Sequence, residues 1–163
     1  MDDLFIKTTI NKSLSIEPKY INNQINDYIL KQLKEKFEGK CLKYGYIKPN
    51  CIKIIKRSIG HVLASHFNGN ILYNIVFSVE VCNPLEGATI DVQVKNINKM
   101  GILADSFDKE SPLNILLARQ HHIDNETFSN LKIGESIQCK IIGKRFEYGD
   151  NQISVIAILH NDE

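Results

Sequence analysis

Apolar positions recur along this chain with two periods. Leu4, Ile6, Thr8 and Ile10 alternate with Phe5, Lys7 and Thr9, so residues 4–10 read as a strand. Ile21, Ile25, Ile29, Leu33 and Phe37 then recur every fourth residue. That spacing lays one apolar stripe along a helix of about five turns. Pro18 suits its first turn and Gly39 its end. Two further strands are read at Lys40–Tyr46 and Ile47–Ile55, with turn signals at Gly45 and Pro49-Asn50. Residues 58–70, with Gly60 and Asn68-Gly69-Asn70, read as loop and turn. Ile71, Tyr73, Ile75, Phe77, Val79 and Val81 alternate, while Val76 and Cys82 make the opposite face apolar too. This strand is expected to be covered on both sides. Cys82-Asn83-Pro84 closes it and marks the expected boundary between a domain at 1–83 and a second at 84–163.

The second half alternates over shorter runs. Ile90, Val92 and Val94 interleave with Thr89, Asp91, Gln93 and Lys95, and a Lys-Met-Gly break precedes the next apolar run. Five strands are read at 88–97, 100–105, 113–117, 135–146 and 151–159. Ala118–Leu131 between the third and fourth is polar and poorly periodic. The expected fold is therefore an α+β N-terminal domain of the truncated RNP-like kind, strand-helix-strands. An all-β, five-stranded OB/S1-like barrel follows it. Such barrels commonly hold single-stranded nucleic acid. The basic candidates for that role are Lys95 and Lys99 near the first strand, with Lys140, Lys144 and Arg145 on the fourth.

Pro84-Leu85-Glu86-Gly87, a strand, then Asn98-Lys99-Met100-Gly101 is more specific than the fold. It joins Leu14–Tyr20, Phe37–Cys41, Ser58-Ile59-Gly60, Phe77–Cys82 and Gly134–Gly143 in order and spacing. Together these resemble the larger stalk subunit of archaeal and eukaryotic multisubunit RNA polymerases, the seventh subunit of RNA polymerase II. The resemblance implies a non-catalytic subunit anchored to the polymerase core near the clamp. Its docking loop falls on Arg57, Ser58, Ile59, Gly60 and His61. It implies a smaller helical stalk partner, with Phe77, Val79, Val81, Pro84 and Leu85 as the contact. It also implies weak, sequence-independent contact of the barrel with nascent single-stranded RNA. Family members carry aromatics just after the Met-Gly, where this chain has Ile102-Leu103; Phe107, Phe146 and Tyr148 are the substitute stacking candidates.

Charge sharpens this picture. From Lys31 to Arg57 there are nine Lys or Arg against two Glu, a local +7; from Glu86 onward there are eight against twelve Asp or Glu, a local −4. Net charge thus gives no reason to read the barrel as a strong general nucleic-acid binder. No phosphate-cradling glycine loop, H-E-x-x-H or G-x-S-x-G occurs, so neither catalysis by the chain alone nor a cofactor is expected. Adjacent His121 and His122 point apart, and Cys41, Cys51, Cys82 and Cys139 form no C-x-x-C pair, so no metal site is expected. The N-terminus has no basic leader, and no apolar run nears the roughly 18–20 residues of a membrane span. Enrichment in Ile, Lys and Asn suits an AT-rich genome. With the retained spacing it suits a version encoded by a large DNA virus, acting in a cytoplasmic factory or virion; a cellular version would act in the nucleus. The alternatives are a free-standing S1-type RNA-binding module of translation or RNA decay, or a small RNA-processing enzyme.

Overall fold

The computed structural model describes residues 4–65 and 67–160. Two units emerge that are not consecutive in sequence. One holds Phe5–Gly39 and Ile47–Val81, the other Lys40–Tyr46 with the chain from Cys82 onward.

In the first unit, strand β1 (Phe5–Ile16) runs well past residue 10. Buried Ile10, Leu14 and Ile16 keep the period of two through a polar stretch that hides it in the sequence. The helix is shorter than the apolar spacing predicts. Pro18–Tyr20 forms a separate 3-10 turn, and Ile21 is extended. The Asn22 side chain accepts the Gln24 N–H at 2.8 Å, an Asx turn that delays α1 to Ile25–Phe37. Ile25, Ile29, Leu33 and Phe37 form its buried stripe, and Phe37 stacks on Phe77 with ring centroids 6.0 Å apart. Each such side chain contributes about 1.5–3 kcal/mol by leaving water.

The segments read as two strands break into pieces. Cys41–Leu42 (β2) and Gly45–Ile47 (β3) are separated by a Lys43-Tyr44 turn. Pro49-Asn50, with Asn50 at φ 57°, interrupts the chain before Lys53–Arg57 (β4). A two-residue strand, His61–Val62 (β5), lies within the stretch read as loop. Both β4 and β5 pair antiparallel with the long strand β6 (Ile71–Cys82), whose neighbours in the sheet order β1-β6-β3-β2 are β1 and β3. Tyr73, Ile75, Phe77, Val79 and Val81 fill one face of β6, and Ser78 is buried on the other.

In the second unit, β7 (Thr89–Ile97), β8 (Gly101–Ser106), β9 (Leu113–Ala118), β10 (Ser136–Arg145) and β11 (Ile153–Leu159) close a barrel in the order β10-β11-β9-β8-β7. Four pairings are antiparallel, and β11–β9 is parallel. All five strands match the alternating runs within two residues, because inward residues such as Val92, Val94, Ile115, Ile141 and Val155 must share one side. The irregular segment between β9 and β10 holds a short helix, α2 (Glu126–Ser129), capped by Asn125 Oδ1 on the Phe128 N–H. Phe128 stacks on buried His122 at 4.1 Å. That ring lies 2.8 Å from the Ala118 carbonyl through Nδ1 and accepts the Leu159 N–H at Nε2 (2.9 Å). Both ring nitrogens are thereby occupied by backbone.

Burial pushes the Cys41 thiol up to about 11, with Asp150 adding to the effect. Burial likewise pushes Cys82 and Cys139 up to about 12. These thiols should resist alkylation in the native state and react only on unfolding, as thiol counting with and without urea would show. Above pH about 9 the unfolded thiols ionise while the folded ones keep their protons. Stability should therefore fall with rising pH across about 9–12. A Cys82→Ala/Cys139→Ala variant that lost stability just as steeply over that window would refute this origin.

Candidate docking loop and nucleic-acid face

The loop leaving β4 is held at its base and presents one apolar side chain. Arg57 donates through Nε to Asn26 Oδ1 at 2.9 Å, and its guanidinium lies over the Tyr73 ring at 5.1 Å. The Ser58 N–H donates to the Asn74 carbonyl at 2.8 Å, and the Asn74 N–H returns a bond to Ser58 Oγ at 2.9 Å. His61 pairs with Leu72 in the β5–β6 ladder. Between these anchors Gly60 passes so close to β6 that a Cβ would stand 2.4 Å from Ile71 Cγ2 and 2.7 Å from the Tyr73 ring. Ile59 is thrown outward, 90% exposed, with exposed Val62 and Phe67 following in the chain. Arg57, Ser58, Ile59, Gly60 and His61 thus form one projection anchored at its base.

The five barrel cations are not one patch. Lys140 lies opposite Thr89 at the start of β7, whereas Lys95 and Lys99 lie at its other end. Lys95 is paired with Asp105 at 2.9 Å, and Arg145 with Glu147 at 3.3 Å. Lys144 Nζ donates to Asn83 Oδ1 at 2.6 Å and to the Pro84 carbonyl at 2.7 Å, so it ties down the segment leading into the barrel. Arg119 is a cation that the sequence did not single out. Gly101 pairs with Ala118, which sets Arg119 beside the β7–β8 turn. There its N–H donates to the Met100 carbonyl and its Nη2 to that of Asn98. Lys99, Arg119 and exposed Met100 therefore share one end of the barrel, a grouping visible only through strand register.

Ile102 is buried and Leu103 half-buried; Phe107 and Tyr148 are exposed rings, and Phe146 is half-buried. Of the residues expected to meet a helical partner, Phe77, Val79 and Val81 lie in the core of the first unit. They occupy the β6 face that carries the buried stripe. Pro84 is also buried, and Leu85 is exposed. The sequence could not separate a core-facing apolar row from an outward one, since both alternate alike.

The loop that must turn between β7 and β8 explains the Asn-Lys-Met-Gly string. Asn98 Oδ1 accepts the N–H groups of Met100 (2.9 Å) and Gly101 (3.1 Å), and its own N–H donates to the Gly101 carbonyl. Gly101 has φ 151°, and a Cβ there would come 2.1 Å from the Leu117 carbonyl oxygen.

Among the described residues no cluster of His, Cys, Asp or Glu is arranged to hold a metal. No helix among them is long and apolar enough to cross a membrane.

Comparison with known proteins agrees with this architecture. Residues 11–47 match the family described as the SHS2 domain found in the N terminus of Rpb7p/Rpc25p/MJ0397. The chain is 24% identical to a protein of Acanthamoeba polyphaga mimivirus named as a DNA-directed RNA polymerase subunit, over 96% of this chain and 82% of that one. It is 24% identical to the RNA polymerase II subunit rpb7 of Schizosaccharomyces pombe, over 97% and 96% of the two chains. With the Dictyostelium discoideum rpb7 it shares 26% identity over 72% of this chain and 64% of the relative. The chain is Rpb7-like, with an α+β N-terminal part followed by an OB-like barrel.

Proposed function

We propose that this Rpb7-like chain is the non-catalytic stalk subunit of a DNA-directed RNA polymerase, of the kind encoded by a large DNA virus. The observation that carries this is similarity to polymerase subunits over nearly the whole chain, in a mimivirus and in a yeast. The domain at 1–83 anchors it to the polymerase core near the clamp through the Arg57–His61 projection, with Ile59 as the apolar anchor. The domain at 84–163 faces nascent RNA. Contact with a smaller helical stalk subunit falls to Leu85, the exposed member of the residues considered for it. Its place of work is a cytoplasmic factory or the virion.

RNA contact on this reading is led by phosphates at the Lys99–Arg119 end, with Lys95 assisting. About three phosphate contacts give a slope near −2 in log affinity against log salt. Binding of a single-stranded oligonucleotide should weaken about 20-fold between 50 and 200 mM salt. Charge reversal of Lys99 and Arg119 should remove most of it. Lys144→Met should leave it unchanged, because that ammonium is spent on Asn83 and Pro84. A Lys144→Met protein with as large an RNA defect as the double reversal would remove the proposed face.

The stalk assignment itself is tested by isolating the tagged chain from its native source and identifying what accompanies it. The large polymerase subunits in near-equal amount are the expected result. Ribosomal or RNA-decay factors without polymerase would overturn the assignment.

A further inference from the structure

The first unit has a second exposed feature, which adjoins the base of the Ile59 loop at Arg57 and Asn26. Among the described residues β4 pairs only with β6, so its outer edge has backbone N–H and C=O groups without a strand partner. Beside that edge runs a groove of about 430 Å³, walled by Asn26, Asp27 and Leu30 of α1 and by Ile54–Arg57 of β4. Ile55 stands at its mouth, 60% exposed. The surroundings are basic. Lys53 and Lys56 are exposed on β4, and helical spacing carries the row Asn26–Leu30 on to Lys34. Asp27 is the single acidic wall residue.

We propose that the β4 edge and this groove dock an extended, acidic segment of a partner protein, which adds as a strand outside β4 and seats an apolar side chain on Ile55 and Leu30. An open edge supplies main-chain hydrogen bonds, and alternate side-chain pockets supply selectivity. The lysines decide which strand is accepted. A second copy of β4 would set lysines against lysines, whereas an acidic strand meets complementary charge. Aliphatic Ile55 and Leu30, rather than aromatic rings, favour a peptide over bases, which need a π face. This inference does not rest on the stalk assignment, since it follows from the edge, the groove and the charge alone.

The test uses the full chain, carrying a photo-crosslinking residue at position 55, in the assembly it forms in its native source. The expected adduct is a peptide with more Asp and Glu than Lys and Arg, identified by mass. Hydrogen exchange at β4 amides should be slower in that assembly than in the free chain, as strand addition requires. Lys53→Glu with Lys56→Glu, both surface changes that leave the core intact, should lower the adduct yield about tenfold. Lys99→Glu on the barrel should not. An RNA adduct, a basic peptide, no adduct, or unchanged β4 exchange would each overturn the proposal. An acidic adduct from a protein other than polymerase would uphold it and leave the stalk assignment to the co-purification test.

Discussion

Gly101→Ala should destabilise the protein by about 4 kcal/mol, lowering the melting temperature by roughly 10–15 °C. Two costs combine at this position. With φ at 151° the backbone is one that L residues rarely adopt. The new methyl would also stand 2.1 Å from the Leu117 carbonyl oxygen and 3.0 Å from Ala118 Cα. Neither neighbour is a flexible side-chain end. Both belong to β9, which pairs with β8 at this point, so relief requires parting two strands of a closed barrel. Gly134→Ala is the control. Its φ is 89°, but nothing lies within 4 Å of the added carbon. Strain without collision should cost about 1 kcal/mol. Urea unfolding of the two variants separates the contributions. Equal losses at both positions would mean that the close β8–β9 approach contributes nothing, and the reading of the Met-Gly string would fall.

Ile59→Asp should leave the fold nearly untouched and yet release the chain from polymerase. At 90% exposure the side chain has little native packing to lose, so stability should change by less than about 0.5 kcal/mol. An apolar anchor seated in a partner's pocket contributes about 2 kcal/mol or more, and a carboxylate in its place would be desolvated without a partner. Association should weaken at least about 30-fold, read as loss of co-purifying large polymerase subunits at equal expression. Gly60→Ala should produce a related defect by another route. Its Cβ would push against Ile71 and Tyr73 and lift the loop from the Ser58–Asn74 clamp. Ile156→Asp on the barrel, also exposed, is the control that should retain association. Undiminished recovery of polymerase with Ile59→Asp would show that the projection is an ordinary surface loop.

The two glycines differ in how visible they were. Gly101 was readable because it interrupts an alternating run, and a glycine between two β strands signals a bend. Gly60 was readable as a loop glycine within the Ser58-Ile59-Gly60 string, but not as a close approach. Only the fold places it against Tyr73. The helix shows a similar division. The four-residue spacing of Ile25, Ile29, Leu33 and Phe37 was sufficient to find α1, but it also drew in Ile21. The start was decided by Asn22 turning back on Gln24, a local hydrogen bond that competes with the first helical turn.

For this protein, sequence alone determined the strand-helix-strands order, the five barrel strands and the likeness to polymerase stalk subunits. Those depend on which residues leave water and at what period, and period is a property of the chain. Tertiary structure decided which cations lie together. Lys144 and Lys99 are indistinguishable as residues, yet one is bound to Asn83 and Pro84 while the other shares a barrel end with Arg119. It also decided that Phe77, Val79 and Val81 are buried in the first unit. The physical reason is common to both cases. Whether a charge is paired, or an apolar face covered, depends on neighbours brought close by strand register, and those neighbours are tens of residues away along the chain.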